Sequence, residues 1–217
     1  MNIKIKLIKY FRRLMFPNLV KFRNSSSYWK ERYLSGGNSG PGSYGRLAVF
    51  KGEVINDFID RNEIGSLIEI GCGDGNQFNY FKVNKYIGVD ISDFIVRKHA
   101  TEFKGDKSKK FINYNSLKDL SADLSISLDV VFHLIEDKVY EEYMFKLFQS
   151  STKFVIIYSS NDEMLNNNSA PHVKHRNFTK WVENNMTDFK LVDSILNKYP
   201  YNGDGDTSFC DFYIFRK

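Results

Sequence analysis

Three alternating glycines followed by a carboxylate form the cluster of residues with the clearest chemical meaning. Gly71, Gly73 and Gly75 lie in EIGCGDG, directly after a short apolar stretch and before a polar segment able to begin a helix. Glycine lets the backbone turn sharply and approach a ligand closely, and a helix N-terminus offers free N–H groups. Asp90 ends the next apolar stretch, where a carboxylate can accept hydrogen bonds from both hydroxyls of a ribose. Because Asn76 stands where a dinucleotide-binding turn has its third glycine, the pattern predicts a nucleoside-containing cofactor other than NAD or FAD.

Three histidines follow predicted strands and are candidates for a general base. His133 lies four residues after Asp129, so a helical turn would place both on one side and let Asp129 orient the imidazole. His172 and His175 lie beside Arg176 in APHVKHR, where they are suited to bind phosphate, carboxylate or sugar oxygens. The alternatives are a capping role for Asp129, a buried polar His133 and a solvated basic loop.

Two further expectations concern the same region. Tyr44 is a candidate lid residue over an acceptor, because flanking glycines permit a loop to close. No HExxH-like pattern accompanies the histidines, so the sequence predicts no metal site.

The elements that must position these residues alternate between helical and strand patterns from residue 43 onward, which predicts an α/β sheet built from crossover units. Apolar stretches predict strands at 67–70, 86–90, 110–114, 123–128, 154–160, 189–196 and 208–217, the last of them antiparallel. Apolar residues at helical spacing predict helices at 46–59, 92–103 with Ser92 as N-cap, 137–148 and around 178–184.

These motifs resemble, over about residues 28–217, the class I S-adenosylmethionine-dependent methyltransferases. LIEIGCGDGNQF resembles the first motif of the family, YIGVDIS the second, SLDVVFHLIED the fourth and FCDFYIF the antiparallel seventh strand. The order of SYWKERYLSGGNSGPGSYG, GCGDGNQ, SLDVVFHL, VIIYSSN and APHVKHRNFTKW resembles a bacterial subgroup often encoded or fused with glycosyltransferases of surface-polysaccharide synthesis. The resemblance implies a Rossmann-like, mostly parallel seven-stranded sheet of order 3-2-1-4-5-7-6, with strand 7 antiparallel and helices on both faces.

The resemblance also implies a cofactor, S-adenosylmethionine, with S-adenosylhomocysteine as its product. Asn115 stands where the family contacts the adenine amino group. Glu69 is expected to organise the glycine turn through backbone N–H groups and to be within reach of the methionine end of the cofactor. Tyr28 and Trp29 either cover the methionine moiety or pack on the sheet. The implied cofactor-binding residues are Trp29, Glu69, Gly71, Cys72, Gly73, Asp90, Ile91, Asn115, Ser116 and Leu128.

The implied reaction is methyl transfer, expected to be O-methylation, to a sugar hydroxyl or phosphate-type oxygen of a small or glycan-linked acceptor. The residues expected on the acceptor side are His133, His172, His175, Asp129, Tyr44 and Arg176. A nucleic-acid methyltransferase is the enzymatic alternative, although the SLDV motif lacks the Asn/Asp-Pro-Pro-aromatic pattern of base amino-methylating enzymes. A cofactor-binding regulatory or scaffold protein without turnover is the other.

The charge is concentrated at the beginning of the chain. The net charge of the 217 residues is +5, but residues 1–24 carry seven Lys and Arg and no acid, which leaves the remainder at −2. We therefore divide the sequence into a basic amphipathic appendage, 1–24, and a methyltransferase domain, 25–217. The apolar side of residues 1–16 is expected either to bind an anionic membrane or to pack on its own domain or a twin subunit.

Composition excludes other classes. Two cysteines are too few for a disulfide-stapled secreted fold, and no stretch reaches the ~20 apolar residues that span a bilayer. The expected location is the cytoplasm, at the inner face of the cytoplasmic membrane if residues 1–16 bind lipid.

Overall fold

A computed structural model of the chain describes residues 22–166 and 169–217, so the predicted membrane-binding segment 1–16 lies outside the described residues. The strands are β1 (Ser66–Ile70), β2 (Lys85–Asp90), β3 (Lys109–Asn113), β4 (Ala122–Leu128), β5 (Ser151–Ser159), β6 (Lys190–Ile195) and β7 (Asp211–Arg216). They form one sheet of order β3-β2-β1-β4-β5-β7-β6, in which β7 is antiparallel to both neighbours and the other pairs are parallel. The predicted fold class and strand order are confirmed.

Helices cover both faces of this sheet. Within the described residues the α-helices are α1 (Ser25–Leu34), α2 (Gly45–Arg61), α3 (Asp93–Glu102), α4 (Asp137–Gln149) and α5 (Phe178–Asn185). Successive strand residues point to opposite faces. Thus Leu67 joins the apolar cluster under α2, and Ile68 joins the cluster under α4 and α5. None of these helices is long and apolar enough to span a membrane.

The polar segment after the glycine turn, which has a composition able to begin a helix, does not form an α-helix. The segment contains a single 3-10 turn, Phe78–Tyr80, and β2 begins shortly afterwards. Two side chains hold it against neighbouring backbone: Asn76 donates to the Ser43 carbonyl at 2.6 Å, and Gln77 donates to the Ala48 carbonyl at 3.0 Å. No helix N-terminus therefore faces the glycines from this side.

The N-caps of α3 and α1 differ in whether the sequence predicts them. Ser92 caps α3 as predicted, since its hydroxyl accepts from the Ile95 N–H. Helix α1 was not predicted, because apolar and charged residues alternate irregularly along SSSYWKERYL. The Asn24 side chain marks where α1 begins, accepting from the Ser27 N–H at 2.8 Å.

Candidate active site

A cavity of about 970 Å³, including its open mouth, lies at the carboxyl ends of β1, β2 and β4. In parallel sheets of this kind the loops that follow the strands bind ligands at this edge. Helix α1 forms one wall of the cavity and the beginning of α4 contributes another part. The lining residues from the strand ends and loops include Glu69, Ile70, Gly71, Cys72, Asp74, Gln77, Asp90, Ile91, Tyr114, Leu128, Asp129, Val130 and His133. Ser25, Ser26, Trp29 and Tyr33 line it from α1, and Val139 and Tyr143 from α4.

The glycine turn forms the floor beside β1. Gly71 and Gly73 have φ values of 93° and 56°, which residues other than glycine rarely adopt. A Cβ on Gly71 would collide with Val130, and one on Gly73 would collide with Ser39. Two amides of the turn, Gly71 and Cys72, donate to the Val89 carbonyl at 2.7 and 3.0 Å. The turn therefore requires glycine both for its backbone conformation and for close packing.

Asp90 connects this turn to the end of β2. It is 5% exposed, and its two carboxylate oxygens accept from the Ser92 N–H at 2.8 Å and the Gly73 N–H at 3.0 Å. Each oxygen keeps a second lone pair for a further donor, as a ribose diol requires. Burial raises the pKa of Asp90 to about 6.

Glu69 does not organise the glycine turn, and that expectation is wrong. The amides of the turn bond to the Val89 carbonyl and to Asp90, whereas Glu69 accepts from the Tyr86 hydroxyl at 2.5 Å. The carboxyl group lines the cavity and is 2% exposed, and burial raises its pKa to about 7. Glu69 is therefore held rigidly at the cavity wall by β2.

Gln77 places a further hydrogen-bond acceptor, without a partner, in the same cavity. Its side-chain Nε2 donates to the Ala48 carbonyl, and its buried Oε1 has no hydrogen-bond partner among the described residues. A buried acceptor without a donor costs free energy unless a ligand supplies one. Together with Asp90 and Glu69, it makes a cavity rich in acceptors, which suits a cofactor carrying hydroxyl and ammonium donors.

Asp74 ties the loop before α2 onto the glycine turn. Its Oδ2 accepts from the Ser39 N–H at 2.6 Å and from the Tyr44 hydroxyl at 2.8 Å. Tyr44, the predicted lid residue, is the N-cap position of α2 and is not among the lining residues. Burial and its bond to Asp74 raise the Tyr44 pKa to about 12. In this structure Tyr44 joins the loop before α2 to the glycine turn.

Asp129 and His133 both line the cavity, but the expected hydrogen-bonded pair does not form. The turn after β4 is a short 3-10 turn, Val131–His133, and Asp129 precedes it with a φ of 58°. Asp129 instead pairs with Lys51 at 2.5 Å. Lys51 is fully buried, so its ammonium requires a counterion, and Asp129 supplies it.

His133 is oriented by the backbone. Its Nδ1 lies 2.8 Å from the carbonyl oxygen of His172, and a carbonyl only accepts, so Nδ1 carries the proton. Nε2 is then the nitrogen with a free lone pair. Burial lowers the pKa of His133 to about 4, so the imidazole is neutral near pH 7.

The other predicted acceptor-side residues do not line the cavity. His172 stacks on the ring of His133, with centroids 5.4 Å apart. His175 is buried and bonds through Nδ1 to the Ser160 hydroxyl at 2.6 Å. Arg176 donates to the Leu134 and Ile135 carbonyls and pairs with Asp137 at 2.8 Å, with its guanidinium over the Tyr140 ring. His175 and Arg176 thus hold the loops around the site together.

Most of the predicted cofactor residues come together. Trp29, Glu69, Gly71, Cys72, Asp90, Ile91 and Leu128 line the cavity, and Gly73 bonds to Asp90. Asn115 and Ser116 are exposed in the turn Tyr114–Ser116 and do not line it, whereas Tyr114 does. A contact between Asn115 and an adenine amino group stays a prediction. The lining also includes Tyr33 and Gln77, which lie inside the quoted motifs but carry no predicted role, and Val139 and Tyr143, which no motif marks.

Within residues 22–166 and 169–217, no group of three or more His, Cys, Asp or Glu side chains is arranged to hold a metal ion. Both cysteines, Cys72 and Cys210, are buried free thiols.

No family model and no curated protein matches the sequence, but solved structures match the fold. The N-methyltransferase NodS from Bradyrhizobium japonicum WM9, in complex with S-adenosyl-L-homocysteine, has a TM-score of 0.65 at 13% identity, covering 89% of this chain and 98% of that one. The magnesium protoporphyrin IX methyltransferase ChlM from Synechocystis PCC 6803, with bound S-adenosylhomocysteine, has a TM-score of 0.60 at 14% identity, covering 96% and 99%. The small RNA methyltransferase HEN1 has a TM-score of 0.57 at 18% identity, covering 81% of this chain and 26% of that one.

The chain therefore has the Rossmann-like fold of the class I S-adenosylmethionine-dependent methyltransferases. The names of these three proteins indicate different acceptors, and none refers to a polysaccharide. The fold alone does not select the acceptor.

Proposed function

We propose that the cavity binds S-adenosylmethionine and that the protein methylates a sugar hydroxyl of a small or glycan-linked acceptor in surface-polysaccharide synthesis. One observation carries the cofactor assignment. Asp90, at the end of β2, and His133, after β4, line the same cavity beside the glycine turn, in which a Cβ on Gly71 or Gly73 would collide with a neighbouring side chain. A buried acceptor pair and a neutral imidazole in one cavity suit a nucleoside cofactor next to a proton-bearing acceptor.

The chain offers a partner for each polar part of this cofactor. The free lone pairs of Asp90 are suited to the ribose hydroxyls, and Glu69 and the unpartnered Oε1 of Gln77 are suited to an ammonium group. Trp29 and Leu128 supply apolar surface. When bound, S-adenosylmethionine supplies a methyl group on a sulfonium. The protein then has to orient the acceptor atom and remove its proton.

His133 is our candidate for the proton acceptor. Its Nδ1 proton is held by the His172 carbonyl, so Nε2 is the nitrogen that can receive a proton from a hydroxyl. Methyl transfer to a hydroxyl releases one proton. The imidazole would accept this proton, become imidazolium, and then pass the proton to water. A positioned base of this kind contributes ~10²–10⁴-fold to a rate.

Charge in the cavity favours a neutral acceptor over a phosphate-type oxygen. The lining includes Glu69, Asp74, Asp90 and Asp129, and no Lys or Arg among the described residues lines it. The buried ammonium of Lys51 is already paired with Asp129. An anionic acceptor would therefore face these carboxylates with no Lys or Arg among the described lining residues to balance its charge.

For residues 1–16 we propose contact with the inner face of the cytoplasmic membrane. The support is the charge division, with seven Lys and Arg and no acid in residues 1–24. Basic residues near an anionic surface contribute ~1 kcal/mol each. Sedimentation with anionic vesicles, comparing the full chain with one that lacks residues 1–24, tests this. If the full chain stays in the supernatant at low salt, the segment serves packing or dimer formation instead.

A labelled-methyl assay tests the proposed reaction. The full chain is incubated with S-[methyl-³H]adenosylmethionine and, separately, neutral oligosaccharides, sugar phosphates with nucleotide sugars, and small RNA. We expect label on a neutral saccharide hydroxyl, and ~10²-fold or greater loss of transfer in His133→Ala. Label on RNA alone or on phosphate oxygens alone would overturn the acceptor assignment. Failure to bind either S-adenosylmethionine or its product would overturn the function as a whole.

A further inference from the structure

Two aromatic side chains from separate segments stack behind His133. Tyr28, from α1, stacks on His172 with ring centroids 4.7 Å apart and planes 14° apart. His172, from the loop after β5, stacks on His133 at 5.4 Å and 17°. Trp29 meets His133 edge-on at 5.0 Å. The imidazole is therefore held by rings on more than one side, and such contacts fix ring orientation.

Two hydrogen bonds to backbone carbonyls join the loop after β5 to the turn after β4. The carbonyl of His172 accepts from His133 Nδ1 at 2.8 Å, and the Lys174 N–H donates to the Phe132 carbonyl, also at 2.8 Å. The loop after β5 and the turn after β4 are thus tied on both sides of the His133–His172 contact. Within the described residues the ring of His172 has no hydrogen-bond partner. Its contribution is made through its ring faces.

We propose that Tyr28 and His172 are positioning residues that hold His133 as the neutral Nδ1–H tautomer, ready to accept a proton at Nε2. The assignment rests on the proposed function only in giving His133 a proton to accept. It replaces the expectation that His172 contacts the acceptor itself. Phenylalanine at position 172 would preserve the stack, whereas alanine would open it to water.

Three neighbouring groups bear on the charge of His133: His172 in the stack, Asp129 at the end of β4 and Arg32 on α1. Loss of hydration is the strongest influence and lowers the pKa of His133 to about 4, whereas Asp129 acts in the opposite direction. Removing the ring of His172 readmits water, so the imidazolium form becomes easier to reach.

Long-range ¹H–¹⁵N NMR of the uniformly labelled full chain tests this inference without cofactor or acceptor. The chain has four histidines, and the His133 signals are assigned by their loss in His133→Gln. We expect the neutral Nδ1–H tautomer for His133 in the wild type at pH 7. His172→Phe should keep both tautomer and titration, and His172→Ala should raise the pKa of His133 by at least one unit.

Buried His99 on α3, which bonds through Nε2 to the Gly73 carbonyl, serves as an internal reference for folding in each spectrum. An Nε2–H tautomer in the wild type would overturn the inference. Unchanged His133 signals in His172→Ala, with His99 also unchanged, would overturn it as well.

A second measurement separates this inference from the proposed function. Binding of S-adenosylhomocysteine should be the same within twofold for wild type, His172→Phe and His172→Ala, because His172 does not line the cavity. If no form binds it, the proposed function fails while the NMR result stands. With an acceptor in hand, His172→Ala should lower kcat at least tenfold with KM unchanged, and His172→Phe should restore it. Equal kcat in the wild type and both variants would contradict the positioning role.

Discussion

Replacing Asp90 by asparagine should separate cofactor affinity from fold stability. The side chain keeps its size but loses its charge and one of its two acceptor oxygens. In the wild type both oxygens already accept backbone N–H groups, from Gly73 and Ser92. Asp90→Asn therefore leaves one backbone donor facing an NH₂ group and one ribose hydroxyl without its charged acceptor.

The two effects on the free energy of unfolding partly cancel. Burial raises the pKa of Asp90 from 3.8 to about 6, which corresponds to a cost of ~3 kcal/mol for holding the group ionised at pH 8. The sign follows from linkage: an acid whose pKa is raised on folding destabilises the folded state above that pKa. Asparagine removes this cost but loses a charge-assisted hydrogen bond worth ~1.5–3 kcal/mol. The difference leaves Asp90→Asn between ~0 and ~1.5 kcal/mol more stable than the wild type.

Cofactor binding should change far more than stability. Loss of one charge-assisted bond to a ribose hydroxyl, ~1.5–3 kcal/mol, corresponds to an increase in Kd of ~10–100-fold. Titration calorimetry with S-adenosylhomocysteine at pH 8 measures the Kd, and urea unfolding measures stability. The matched control is Asp188→Asn, an exposed aspartate outside the cavity, which should change neither. Unchanged affinity in a folded Asp90→Asn protein would refute the assignment of Asp90.

Further consequences concern pH, the buried ion pair and the glycine turn. The pKa values of Glu69 and Asp90 are raised to about 7 and about 6, so both carboxyl groups lose their charge as pH falls from 8 to 5. Calorimetry should therefore show a weaker affinity for cationic S-adenosylmethionine at pH 5 than at pH 8. A Kd that does not change with pH would contradict this. Lys51→Met leaves Asp129 without its counterion and should lower the free energy of unfolding, measured in urea, by ~3–5 kcal/mol. Adding Asp129→Asn should restore most of the lost stability. No recovery in the double variant would show that the unpaired carboxylate is not the cause of the loss. Gly71→Ala forces a Cβ into Val130 at a φ of 93° and should destabilise the fold by ~1–3 kcal/mol, and a stable variant would mean that the turn relaxes.

The sequence was most informative where a local pattern determines structure by itself. The strands that end near Glu69 and Asp90 are predicted by short apolar stretches that alternate with helical patterns. Ser92 is predicted as an N-cap because serine is common at that position. The glycine turn was predicted for the same reason, since positive φ values restrict the choice of residue.

Partnerships across the fold were not predictable in this way. Asp129 is paired with Lys51, 78 residues earlier in the chain, and the backbone carbonyl that orients His133 belongs to His172, 39 residues later. Neither contact has a local signature. Tyr114 lines the cavity instead of its neighbour Asn115, because the direction of side chains in a single 3-10 turn cannot be read from residue types.

Binding of labelled cofactor to the wild-type chain is the most direct test of the proposed function. In equilibrium dialysis with tritiated S-adenosylmethionine at pH 8, we predict one bound molecule per chain, displaced by S-adenosylhomocysteine and not by NAD. No bound label, or displacement by NAD in preference to S-adenosylhomocysteine, would contradict the assignment of the cavity.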